Sequence, residues 1–254
     1  MIILFRGGLG NQMFEYAYGV AMEKRGHSVS YDSTYNVGPH RDFSLGAFNT
    51  RVDFTSQPEI HRVSEKGMRF DSRLLELPHD TDRVDGYFQS EKYFVDVMKT
   101  VQDEFTFRQP VERPYVGLWA EIASCDSVFV HVRRGDYVGL QQYHGLVPKS
   151  YYEDALSRVR EAYPNCRVYA FSDDPDWCQE NFKDTTVVRT GDKYTDMRLM
   201  AACKHAIIAN SSFSWWAAWL GADKRGGMIF APRTWFTHAS LDATDIIPER
   251  WTKL

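Results

Sequence analysis

Between positions 127 and 231 the chain alternates short apolar runs with amphipathic stretches, and few architectures satisfy that alternation. Residues 127–132 form an apolar run ending in Arg133-Arg134-Gly135-Asp136, and residues 167–171 form another ending in Ser172-Asp173-Asp174. Between them Tyr152, Ala155, Leu156, Val159, Ala162 and Tyr163 recur at helical spacing, with Lys149-Ser150 ahead and Pro164 behind. Further strands are predicted at 187–188, 206–209 and 228–231, and helices at 177–182, 195–205 and 211–220. Apolar strands separated by helices need a parallel sheet covered by helices.

The first half opens in the same way. Residues 2–5 read as a buried strand and Gly7-Gly8-Leu9-Gly10 as a turn. Met13, Ala17 and Ala21 mark a helix that begins near Asn11 and stops at Gly26, and a second strand follows at 29–31. That order begins a doubly wound α/β lobe. Residues 32–85 show no regular pattern, a helix is expected over 90–105, and Gln109-Pro110-Val111-Glu112-Arg113-Pro114 reads as a linker. The expectation is an α/β chain of two Rossmann-like lobes, residues 1–114 and 115–254, and 254 residues suffice for two cores.

Several function classes drop out. The net charge is −4 with interspersed signs, against the basic surplus of a nucleic-acid binder. No run approaches the ~18 apolar residues of a membrane span, and the five apolar residues at the start are too few for a secretion signal, so a cytoplasmic protein is expected. Cys125, Cys166, Cys178 and Cys203 lack zinc or thioredoxin spacing and read as reduced core residues. In a G-x-G-x-x-G reading of Gly8-Leu9-Gly10 the third glycine would fall on Met13, which rejects a nicotinamide dehydrogenase.

Ligands of open α/β sheets bind at the carboxyl ends of strands, and three such ends carry polar groups. His131-Val132-Arg133-Arg134-Gly135-Asp136 is either a surface arginine pair salt-bridged to Asp136 or an anion site. Guanidinium holds phosphate through charge-assisted hydrogen bonds of about 1.5–3 kcal/mol each, and two arginines at the tip of a buried strand favour the anion site. At Asn210-Ser211-Ser212-Phe213-Ser214 a strand meets a helix. Asn210 or Ser211 can cap that helix, and its free N–H groups can also receive a phosphate. Ser172-Asp173-Asp174-Pro175-Asp176 reads as a base or ribose reader, a helix cap or a metal site. Asp174-Pro175-Asp176 and Asp80-Thr81-Asp82 match the Asp-x-Asp pattern of metal-dependent transferases, but two arginines can neutralise a diphosphate, so no metal is expected. His205 and His238 read as structural.

Five segments then occur in order: Gly7 to Phe14 (GGLGNQMF), Gly86 to Phe94 (GYFQSEKYF), His131 to Tyr137 (HVRRGDY), Phe171 to Asp174, and Asn210 to Trp216 (NSSFSWW). Together they resemble glycosyltransferase family 11, the α-1,2-fucosyltransferases, from the first strand to about Trp216. The resemblance implies a two-lobe GT-B fold with a donor-binding C-terminal lobe and a cleft between lobes. It also implies metal-free, inverting transfer of fucose from GDP-fucose to the 2-hydroxyl of a terminal galactose.

Carried onto this chain, the resemblance puts Arg133 on the donor diphosphate, where it would stabilise the leaving GDP. His131, Asp173 and Asp174 would lie towards the nucleoside and Ser211, Ser212 and Phe213 near the phosphates, with Gly10, Ser172, Asn210 and Ser214 also binding the donor. Asn11 would face the fucose or the acceptor, and Asp136 is the motif carboxylate nearest to serve as general base. Relatives often carry Gln where this chain has Glu15, which reads as a solvated helix residue or as part of acceptor recognition. The expected partners are a nucleotide sugar and a galactose-terminated glycan, whose lipid-linked form would bring the protein to a membrane surface. The rival readings are a nucleotide-sugar hydrolase and a non-catalytic sugar-binding protein.

Overall fold

The computed structural model describes residues 1–34, 42–55, 61–135, 139, 145–238 and 240–254. They form two compact units, Met1–Gln109 with Asp242–Pro248, and Pro110–Leu241 with Glu249–Leu254.

The first unit is built on β1 (Ile2–Leu4), α1 (Leu9–Lys24), β2 (Ser30–Asp32), β3 (Arg62–Ser64), β4 (Arg83–Asp85) and α2 (Met98–Glu104). The strands run parallel in the order β2-β1-β4-β3. Two of them lie in the stretch that showed no pattern, because three-residue strands containing Arg, Ser and Asp offer no apolar alternation. Gly7 takes a left-handed φ of +70°, and a Cβ there would lie 2.4 Å from Asn11 Nδ2, so the turn from β1 into α1 needs glycine.

Helix α1 is buried on almost every side from Leu9 to Met22, so its polar groups must be bonded internally. Gln12 Nε2 donates to Gly7 O at 3.1 Å and Asp42 O at 3.0 Å, while its Oε1 accepts from Ser44 N at 2.8 Å. Tyr18 stacks on Phe88 at 3.9 Å between centroids and donates to Leu74 O at 2.7 Å. The helix expected over 90–105 is continuous only as α2. Short 3-10 turns at Glu91–Tyr93 and Val95–Val97 precede it, where aromatic and β-branched residues are weak helix formers.

The second unit contains α3 (Val116–Ser124), β5 (Ser127–Val132), α4 (Lys149–Ala162), β6 (Arg167–Ser172), α5 (Pro175–Asn181), β7 (Thr186–Val187), α6 (Lys193–Ala202), β8 (His205–Ile207), α7 (Ser212–Leu220), β9 (Ile229–Ala231) and β10 (Thr252–Lys253). All its strands are parallel, in the order β10-β9-β8-β5-β6-β7. Val128, Val130 and Val132 pack with Tyr151, Tyr152, Ala155 and Val159 of α4. His131 points the other way, with its ring 5.8 Å from Phe213 of α7, as strand alternation requires. All four cysteines are free, but only Cys178 and Cys203 are buried.

In the first sheet an ion pair links the two strands that flank β1. Arg83 Nη2 lies 3.1 Å from Asp32 Oδ2, and both side chains are 3% exposed. Arg83→Met would leave a buried carboxylate without its cation, at a cost of about 3–5 kcal/mol. Urea unfolding should show that loss, and adding Asp32→Asn should recover part of it.

Candidate functional site

In the second unit the chain leaves β5 through α4 to β6 on one side and returns to β8 on the other. The strand order therefore reverses between β5 and β8, where a doubly wound sheet opens a crevice at its carboxyl ends. The residues after β5 are Arg133-Arg134-Gly135, and those after β8 run into Asn210-Ser211-Ser212.

The pairing of β5 with β6 sets the charges there. His131 is opposite Phe171 and Val132 opposite Ser172, so the next residues bring Arg133 to Asp173 and Arg134 to Asp174. Arg133 Nη1 lies 3.0 Å from Asp173 Oδ2, and Asp173 Oδ1 accepts from Arg134 N at 2.9 Å. Arg134 Nε donates to Asp174 Oδ2 at 3.1 Å, and its guanidinium lies 4.6 Å from the centre of the Trp177 ring. Asp174 Oδ1 also caps α5, accepting from Trp177 N at 3.2 Å, and Ser172 Oγ accepts from Asp174 N at 2.9 Å. Asp173 and Asp174, expected towards the nucleoside, thus hold the arginine pair in place and balance part of its charge. A Cβ on Gly135 would lie 2.8 Å from Asp173 Oδ2, so glycine lets the loop close over that carboxylate. Asp136 lies outside the described residues.

Burial, and after it the charge of Arg133, drives the His131 pKa down to about 3, so the imidazole is neutral. Its Nδ1 is buried without a hydrogen-bond partner among the described residues. Capping of α7 by a side chain is not observed. Ser211 occupies the N-cap position but makes no side-chain cap. Asn210 Nδ2 instead donates to Trp235 O at 3.0 Å and Gly145 O at 3.3 Å, tying two loops to the end of β8. Ser212 and Phe213 are half-buried at the helix start, while Ser214 is buried and donates to Ser211 O at 3.2 Å. Asn210 also lines a cavity of about 460 Å³ with Tyr151, Asp154, Pro232 and Arg233.

Neither Asp-x-Asp match gathers ligands. Asp174 serves Arg134 and α5, and Asp176 Oδ1 pairs with Arg189 at 2.7 Å. Asp82 Oδ2 accepts from His61 N at 3.1 Å. Among the described residues no three His, Cys, Asp or Glu side chains are grouped to hold a metal. His205 is buried, with Nδ1 accepting from Met228 N at 3.0 Å.

In the first unit Gly10 is buried in the first turn of α1, and Asn11 Oδ1 accepts from Gln89 Nε2 at 2.8 Å. Glu15 is not solvated: it is 0% exposed, and its oxygens accept from Arg6 N at 3.1 and 3.0 Å. Position 15 lies on a helix with almost no solvent face, which a stripe of three apolar residues did not reveal.

The model of the family described as Glycosyl transferase family 11 matches residues 66–254, well over half of the chain. The chain is a member of glycosyl transferase family 11. This family 11 transferase is 32% identical over 287 residues to an alpha-1,2-colitosyltransferase of Escherichia coli, covering 98% of this chain and 96% of that protein. It is 28% identical over 246 residues to the galactoside 2-alpha-L-fucosyltransferase Sec1 of Mus musculus, covering 86% of this chain and 63% of that one. A crystal structure of POFUT1 in complex with GDP aligns at a TM-score of 0.50 with 13% identity, covering 87% of this chain and 95% of that chain. That likeness concerns the fold, which is of the GT-B kind. The protein is a glycosyltransferase.

Sequence reasoning passed over Trp177 under Arg134, the Arg6–Asp85 ion pair and the Gln89–Asn11 bond. Gln89 lay within a recognised motif without an assigned role, and the arginine–aspartate pairing follows from the register of β5 with β6, which neither segment displays alone.

Burial holds the Glu15 pKa well above the usual carboxylate range, against the lowering effects of the Arg6 N–H and charge. The folded state therefore binds this proton more tightly than the unfolded chain does. The resulting stability is complete below the unfolded value of about 4.3 and is lost as pH rises through the folded value. Glu15→Gln removes the titration, so denaturant unfolding between about pH 5 and about pH 8 should show a smaller decline with pH than in the parent.

Proposed function

We propose that this transferase moves fucose from GDP-fucose to the 2-hydroxyl of a terminal galactose, with inversion and without a metal. The observation that carries the reading is the Arg133–Arg134 pair, locked by Asp173 and Asp174 at the switch point of a parallel sheet. The relatives named galactoside fucosyltransferases support the choice of sugar and acceptor.

In the proposed reaction the acceptor oxygen attacks the anomeric carbon, the bond from that carbon to the β-phosphate oxygen breaks, and GDP departs with the electron pair. Negative charge grows on the leaving phosphate as the sugar becomes oxocarbenium-like, and the Arg133 guanidinium is the group proposed to meet it. Ser211, Ser212 and Phe213 at the start of α7 would add N–H groups to the phosphates. Neutral His131 would meet the nucleoside as a hydrogen-bond partner without charge. The hydroxyl proton is proposed to pass to Asp136. Cytoplasmic transfer to a lipid-linked glycan fits this reading; among the described residues no helix is long and apolar enough to cross a membrane.

The relative named alpha-1,2-colitosyltransferase supports a second reading, in which the same site takes a colitosyl donor. GDP release should be measured in EDTA from GDP-fucose and from GDP-colitose, with and without lactose. Galactoside-dependent release with a fucosylated product is expected. Preference for the colitosyl donor would favour the second reading, and release independent of lactose would mean hydrolysis. Loss of activity in EDTA would overturn the metal-free reaction.

Arg133→Lys keeps the charge but loses the planar fork. It should lower kcat about 100-fold, the scale of removing one group that stabilises developing charge, with an unchanged melting curve. Near-parental turnover would remove Arg133 from the assigned role.

A further inference from the structure

The cavity of about 460 Å³ that Asn210 borders lies among the start of α4 and the loops that follow β8 and β9. Its volume is that of a small-molecule site. Its walls all belong to the second unit, and none of them belongs to the arginine–aspartate cluster.

Those walls are held in place. Tyr151 is 6% exposed, and its hydroxyl lies 2.8 Å from Ile208 O and 2.9 Å from Phe230 O. Arg233 N donates to Leu254 O at 2.7 Å and Leu254 N to Ala231 O at 3.0 Å, which fixes the rim to the end of β9. Asn210 Nδ2 joins the loops on either side through Gly145 O and Trp235 O.

The lining selects the ligand. Leu146, Val147 and Pro232 supply apolar surface, and Ser150 and Thr237 supply hydroxyls. Asp154 and Arg233 bring one charge of each sign. Arg158 orients the Asp154 carboxylate with a 3.1 Å bond to each oxygen, and a second acceptor site remains on each. Arg233 Nη2 donates to Lys253 O at 3.3 Å, one of the five donors of a guanidinium. A phosphate would be repelled by Asp154 and a cation by Arg233. A ligand that serves both side chains must donate to one and accept from the other, and a hydroxyl does both. A ring with neighbouring hydroxyls and an apolar C–H face, which is a sugar residue, matches the whole lining.

Asn210 directly precedes Ser211 and Ser212, where the donor phosphates are proposed to lie. The acceptor hydroxyl attacks the carbon bound to the β-phosphate, so the next sugar of the acceptor lies about one residue away from those phosphates. We propose that the cavity binds the sugar to which the terminal galactose is joined, with Ser150, Asp154 and Arg233 bonding its hydroxyls. This rests on the reading of the chain as a transferase acting on a galactose-terminated glycan. It gives the second unit a share of acceptor recognition.

The test uses the full chain with GDP-fucose and four acceptors: methyl β-galactoside, and β-galactosides of glucose, N-acetylglucosamine and N-acetylgalactosamine. At least one disaccharide should have a KM about tenfold below that of methyl β-galactoside, the effect of one or two hydrogen bonds. Asp154→Ala should bring the two KM values within about twofold of each other, whereas general damage would raise both and keep their ratio. Ser150→Trp fills the cavity from an exposed position and reports independently if Asp154→Ala does not fold. A parent protein that favours no disaccharide would overturn the proposal, and so would folded variants that keep the preference; turnover in either case would leave the transferase reading intact. NMR titration of the same sugars separates the two readings. A disaccharide preference in binding that the variants lose, without turnover of GDP-fucose, would support the cavity and count against the proposed donor.

Discussion

The candidate donor site depends on the pairing of β5 with β6. Six residues on each strand run parallel and in register, so the dipeptides beyond them meet side by side. One supplies two guanidiniums and the other two carboxylates. A slip of one residue would exchange the faces of the whole strand, turning Val130 and Val132 out of the α4 core and breaking both ion pairs. The valine–α4 packing that stabilises the sheet therefore also aligns the charges, and precision at the site follows from burial several residues away.

The first unit solves a different problem. Helix α1 has almost no solvent face, yet it carries Gln12, Glu15 and two tyrosines inward. Each is bonded: Gln12 to backbone groups, Glu15 to the Arg6 N–H, Tyr16 to Glu104 and Tyr18 to Leu74. Such a network specifies one position for the helix, because any shift would strand several buried polar atoms at once. The turn before α1 is fixed in this way, and Asn11 with it.

Legibility in the sequence followed element length and side-chain chemistry. Strands β5 and β6, six residues each with four of them apolar, stood out, as did the amphipathic α4. β3 and β4 did not, since Arg62-Val63-Ser64 and Arg83-Val84-Asp85 owe their place in the sheet to ion pairs and register. The stretch before α2 has helical spacing but residues that break the helix into single turns. Arg133 and the serines of α7 were visible as types at strand ends. Their partners were not, because register is a property of two strands and no single segment displays it. Glu15 was misread in part because the chain around it shows the apolar stripe of a surface helix.

Helix α7 has its own consequence. Trp215, Trp216 and Trp219 are at most 1% exposed, and Trp215 and Trp219 stack with centroids 6.2 Å apart. Trp251 packs 5.3 Å from Trp215 and donates to Asp223 Oδ1 at 2.9 Å. A short helix anchored by so much aromatic surface cannot tilt without opening the core behind it. Its amino end is thus a fixed dipole, set in place before any charge meets it. Adaptation to a different ligand would then fall to the loops after the strands, while α7 serves as the immobile reference against which they change.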